Sequence, residues 1–290
     1  AIMASKRLIH ERFDLDFFCR LFPYNSLDRL IGPNWTIYGI ASPWEMSTIE
    51  QVRRKYEINA NNKVATDVFV LGKGEPDDPS ATKIGGQPFR PGATAWPTEE
   101  SLKTRGPKAG NAPLAFLAQI NFADSKDIVP TSLPGTVLVV FVPPRFDVRD
   151  GGSVYYEWYN HNLKDVTTNT TPSGPAALPE CLYGVRHRTF DSKMQLNSSP
   201  PRRLDRIVTR LPALKIGGLA ALEQSNAGET LLCQIPSLYV IPGMKWPFGN
   251  QKKCLTEKDA ERLWFEMGDN GKISFVMRKN DTVKVLFWMA

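Results

Sequence analysis

Two apolar runs stand close together in the first half of the chain. Residues 114–120 are nearly continuously apolar, with Gln119 as the one polar interruption, and residues 136–142 form a β-branched run ending at Pro143-Pro144. Pro134-Gly135 lies just ahead of the second run, so the stretch reads as strand, loop, strand. A similar arrangement returns near the C-terminus. There Gln234 again precedes an Ile inside an apolar run, Asp269-Asn270-Gly271 supplies the turn, and residues 273–277 read as the following strand. Upstream of each block stands the same tetrapeptide, Lys83-Ile84-Gly85-Gly86 and Lys215-Ile216-Gly217-Gly218. Three matches in one order predict an internal duplication with a pseudo-twofold axis, Gln119 matching Gln234 and Gly135 matching Gly271.

Other stretches carry a helical period. Ile9, Phe13, Phe17 and Leu21 recur at i+4 and predict a helix over 5–23. Residues 26–31 read as a short helix. Ser47 and Glu50 make a capping box that opens a helix to about Glu57. Thr256 caps another through Met267, with Ala260, Leu263, Trp264 and Met267 on one face. Strands are expected at 35–40, 64–71, 154–159 and 283–288. The combined expectation is an α+β fold, with largely antiparallel sheets and covering helices. Residues 1–63 then form a helical extension packed on a duplicated domain over 64–290.

Composition narrows the class. With 42% hydrophobic and 23% charged residues, the chain is ordinary for a globular protein. A net charge of +6 suits an acidic partner, but no single basic stripe runs along the chain, so nucleic acid is not favoured. Cys19, Cys181, Cys233 and Cys254 are far apart, and His10, His161 and His187 lack ligand spacing, so neither a metal nor a cofactor is expected. No apolar run approaches the roughly 18 residues of a membrane helix. A cytoplasmic protein is the expectation.

Taken in order, the two KIGG blocks, Trp96-Pro97, the segment from Pro113 through Gln119 to Asn121, Gln224, the run 231–235, Trp264 and Gly268-Asp269-Asn270-Gly271 resemble the signature of the YwqG-like family. The resemblance covers about residues 64–290. It implies a bacterial protein of a family without assigned chemistry, some of whose members accompany toxin loci.

The sequence has no nucleophile elbow, phosphate-binding P-loop, zincin motif or EF-hand loop. The acid pairs Asp77-Asp78 and Glu266 with Asp269 come with no second catalytic group. Gln119 and Gln234 read as a structural polar core, since buried amides normally bond internally. Aromatics and arginines are enriched at interface centres, so Tyr155, Trp158, Arg186, Arg188, Arg202 and Arg203 are the candidate partner-binding residues. The resulting expectation is a non-enzymatic protein-binding protein, for instance an immunity protein that neutralises a toxin with an acidic face. One alternative is a small-molecule or saccharide binder with a cleft walled by Trp96, Trp158 and Trp246. Another is an enzyme of unrecognised class.

Overall fold

A computed structural model describes residues 63–73, 75–102, 111–143, 153–166, 181–192, 210–211, 213–220, 229–236 and 271–288. They form ten strands: β1 (Lys63–Lys73), β2 (Lys83–Ile84), β3 (Ala115–Asn121), β4 (Val137–Val142), β5 (Tyr155–Tyr159), β6 (Leu182–Ser192), β7 (Lys215–Gly217), β8 (Thr230–Pro236), β9 (Lys272–Met277) and β10 (Val283–Trp288). The order across the sheet is β10-β9-β8-β7-β1-β6-β2-β3-β4-β5. Every pairing is antiparallel.

This architecture corrects the α+β expectation. Among the described residues there is no α-helix, only 3-10 turns at Glu99–Ser101 and Ala123–Ser125. The helical readings at 5–23, 26–31, 47–57 and 256–267 all lie outside the described residues. Among the described residues the inner faces of the strands cover one another, because the ladder folds over and packs one half on the other. Tyr156 of β5 meets Phe275 of β9 edge-on, with ring centroids 5.4 Å apart. Between the halves lies one core, with Ile84, Ala118, Leu138, Val140, Ile216, Cys233, Ile273 and Phe275 buried in it.

The continuous apolar run of β4 follows from this arrangement. Leu138, Val140 and Val142 enter the shared inner core, whereas Val137, Val139 and Phe141 enter an outer cluster with Phe89, Leu102, Leu114 and Phe116. A strand covered on both faces has no polar alternation to show. Full burial of each such side chain stabilises the fold by about 1.5–3 kcal/mol.

The two halves share their local geometry. Gly85 and Gly86 have φ of 67° and 73°, and Gly217 and Gly218 have φ of 67° and 75°. These are left-handed values that side chains with a Cβ avoid. Each half also carries one bulge at the same place, at Leu117 in β3 against β4 and at Leu232 in β8 against β9. The extra residue reverses the alternation beyond it. As a result Leu117 and Ala118 both face the inner core, as do Leu232 and Cys233. Without the bulge, the next residue, Gln119 or Gln234, would point into that core.

The halves exchange their first strands. β1 pairs with β7 of the second half, and β6 pairs with β2 of the first. Ile216 pairs with Asp67 and Ile84 with Leu182, so Asp67 and Leu182 hold equivalent places. Phe69 N–H then donates to Leu214 O at 2.9 Å, as the equivalent Gly184 N–H does to Thr82 O at 2.8 Å. The centre of symmetry falls where Val70 faces Val185. The turn glycines deviate by one residue. The β4 and β9 registers set Gly271 at the position of Thr136, next to Gly135. Gly135 is required for a different reason, because a Cβ there would lie 2.7 Å from Tyr159 O on the neighbouring strand.

Candidate functional site

Three polar clusters are built into this sheet. The first joins β1 and β6. Asp67 faces Arg188 across the ladder and is fully buried. Its carboxylate accepts from Ser125 Oγ at 2.6 Å, Arg186 Nη1 at 3.3 Å, Arg188 Nη2 at 3.0 Å and also Arg188 Nε. On the outer side, Arg188 donates through Nη1 and Nη2 to Asp127 at 2.6 and 2.9 Å. Arg186 donates to Asp124 O at 2.6 Å. The loop after β3 therefore closes over the arginines, and Ile128 and Val129 anchor it in the core. The guanidinium of Arg188 holds the Asp127 carboxyl down at about 2. The two carboxylates in turn push the Arg188 pKa up.

The second cluster lies on the outer face of β5. Arg90 is buried and makes two bonds to Glu157, Nε to Oε2 at 3.1 Å and Nη2 to Oε1 at 2.9 Å. Arg90 also donates to Thr94 O and Ala95 O, and its guanidinium carbon stands 5.6 Å from the Trp96 ring centroid. Tyr155 and Tyr159 donate their hydroxyls to Glu157 at 3.3 and 2.8 Å. Burial, with the hydrogen bond and charge of Glu157, pushes the Tyr159 phenol up to about 12. A bidentate Arg–carboxylate pair whose guanidinium is bonded through all three nitrogens fits a locked structural charge. The equivalent place on β10 holds Leu286, packed on Ala220, Leu231 and Val276, so this ion pair belongs to one half only.

The third feature is repeated. Gln119 Nε2 donates to Pro79 O and Ala81 O, both at 2.7 Å, and its Oε1 accepts from Phe89 N–H at 2.8 Å. Gln234 Nε2 donates to Leu211 O at 3.4 Å and Ala213 O at 3.2 Å. Pro79 and Ala81 precede Lys83 by the same spacing as Leu211 and Ala213 precede Lys215. Beside each glutamine, the lysine of the KIGG turn bonds a carboxylate of its own half. Lys83 Nζ lies 2.8 Å from Glu75 Oε2, and Lys215 Nζ lies 2.6 Å from Asp191 Oδ2. Each acid also accepts the N–H of the residue just beyond the glycine pair, from Gln87 at 3.2 Å and Leu219 at 2.7 Å. The sequence offered no signal for these acids. They lie 8 and 24 residues from their lysines, with no common spacing.

The sequence-based partner residues are dispersed by this arrangement. Arg186 and Arg188 stand together on β6. Tyr155 and Trp158 fall on opposite faces of β5. Tyr155 joins the outer cluster, and Trp158 packs on Phe122 of the inner core with centroids 5.5 Å apart. Trp96 donates its indole N–H to Leu114 O at 2.7 Å in the outer cluster, so Trp96 and Trp158 do not face one another. Arg202, Arg203 and Trp246 lie outside the described residues. Among the described residues, no three His, Cys, Asp or Glu side chains converge as a metal-binding group. No helix among them is long and apolar enough to cross a membrane.

The fold and these clusters define a duplicated antiparallel β domain with a charge-locked polar centre in each half. The chain belongs to the DUF1963 family, a domain of unknown function, which it matches over residues 82–288. β1, at Lys63–Lys73, lies ahead of the matched segment, yet it sits between β6 and β7 in the middle of the sheet. No curated protein matches the chain.

Proposed function

We propose that this is a non-enzymatic, cytoplasmic binding protein whose partner presents an acidic face to Arg186 and Arg188. An immunity protein that neutralises a bacterial toxin would act in this way, and the finer YwqG-like identity inferred from the motifs suits that role. The observation that supports the reading is the mounting of Arg188. A buried carboxylate, Asp67, fixes the guanidinium from below, while its outer edge is bonded to Asp127, whose side chain is 63% exposed. A guanidinium held this way loses little rotamer freedom on binding. A partner carboxylate can take the place of Asp127 in the same bidentate geometry. The low ionisation range of Asp127 marks the spot as one that favours a carboxylate. A cleft walled by Trp96 and Trp158 lacks comparable support, since the two rings sit in separate clusters.

The test is binding to the product of the neighbouring gene, measured against salt and two substitutions. Asp127→Ala removes the internal competitor and should tighten the complex. Arg186→Glu should weaken it, and added salt should weaken the wild-type complex. Affinity that ignores both substitutions and salt would overturn the proposal.

A further inference from the structure

Each KIGG lysine meets an acid of its own half, and the two acids are held differently; Lys215 Nζ also donates to Leu219 O at 2.7 Å. Lys215 and Asp191 are both fully buried, at 0% side-chain exposure. Asp191 belongs to β6, and its oxygens also accept from Leu211 N–H at 2.9 Å and Leu219 N–H at 2.7 Å. It cannot leave without taking the strand apart. Lys83 is just as enclosed, with its side chain 3% exposed. Its acid, Glu75, lies beyond the end of β1 and is 50% exposed. The half-exposed side chain can leave through the solvent it already touches.

Withdrawing Glu75 would leave an enclosed ammonium without its counter-charge, at a cost in free energy that another anion can offset. The niche requires an anion, and its donors specify which kind. Lys83 Nζ binds one carboxylate oxygen and Gln87 N–H binds the other. Gly85 and Gly86 are left-handed, and the N–H just beyond them points at Glu75 Oε1. A Cβ at Gly86 would strike Glu75 Oε1 and lie 2.7 Å from Cys181 Cβ, so the position is kept open by glycine.

We propose that the Lys83 niche is a binding site for a carboxylate ligand, with Glu75 as a built-in placeholder that the ligand displaces. The ligand supplies one carboxylate, either as a small organic acid or as an acidic group of a peptide. The second niche, sealed by Asp191, has become purely structural. The proposal uses none of the residues of the Arg186–Arg188 cluster and stands or falls independently of it.

The placeholder is tethered, so in the wild type a ligand competes with an effective concentration on the order of millimolar. Glu75→Ala removes the competitor. In chloride, this variant should melt on the order of 5 °C below the wild type. Acetate at matched ionic strength should restore much of that loss, and it should slow alkylation of Cys181, which lies beside the niche. Asp191→Ala should also melt lower and regain nothing from acetate. An acidic tetrapeptide that acts at lower concentration than acetate assigns the ligand to a peptide, and equal potency per carboxylate assigns it to a small acid. Should Glu75→Ala fail to fold, the same titration on Glu75→Gln decides the matter. Acetate acting no better than chloride, or restoring Asp191→Ala equally, overturns the proposal.

Discussion

Gln119 and Gln234 make the same pair of hydrogen bonds in the two halves of the chain, each through Nε2 to two backbone carbonyls ahead of its KIGG turn. Each pins a non-repeating segment to a bulged strand. Gln119 Oε1 also accepts from Phe89 N–H.

Gln119→Leu therefore orphans two carbonyls and one N–H. It should cost about 1–3 kcal/mol in urea unfolding, with Gln234→Leu at the lower end, where the bonds are longer. A Gln119→Leu protein with wild-type stability would remove the structural role assigned to this residue.

The niche acids should differ in the same direction as their exposure. Asp191→Asn breaks a fully buried pair and should cost about 3–5 kcal/mol. Glu75→Gln should cost a fraction of that. Equal losses in parallel denaturation curves would contradict the distinction between a sealed and an open niche.

Asp127 sets part of the acid limb. Its carboxyl ionises at about 2 in the folded chain against 3.8 ordinarily, chiefly because Arg188 bonds it. Its contribution to stability is thus present above the ordinary value and is lost as the pH falls toward 2. An NMR titration of the Asp127 carboxyl should show the low midpoint, and Arg188→Gln should return it toward 3.8.

Tyr159 governs the opposite limb. Burial and Glu157 raise its phenol from 10.0 to about 12. The folded state therefore keeps this contribution below pH 10 and loses it as the pH rises toward 12. Ultraviolet titration should show late-ionising phenol absorbance to which Tyr159 and Tyr155 both contribute, and Tyr159→Phe should remove the Tyr159 part of it.

The repeat could be read from the sequence because its geometry admits few residues. A left-handed pair calls for Gly-Gly, and a strand that must bond two carbonyls sideways calls for an amide. Other parts left no local trace. β6 reads LYGVRHRTFDS, a charged stretch without clean alternation, because its arginines turn toward the buried Asp67. The Arg90–Glu157 pair joins residues 67 apart, beyond any pattern of spacing. The folding of the ladder onto itself leaves no local trace either, since the inner face of each half is covered by residues far away in the chain. The aromatics of β5 were legible as a strand with two faces. Their gathering into one binding surface was not, since Tyr155 and Trp158 point apart.

The exchange of first strands also constrains the order of events at the ribosome. β1 ends at Lys73, but its partners are β6, beginning at Leu182, and β7, beginning at Lys215. β2 through β5 can assemble as they emerge, while β1 waits with both edges unpaired. Ladders that close over such sequence distances form slowly, and an unpaired strand edge is open to wrong neighbours. Chaperone cover between the synthesis of these segments would therefore protect the open edges of β1 until its partners emerge.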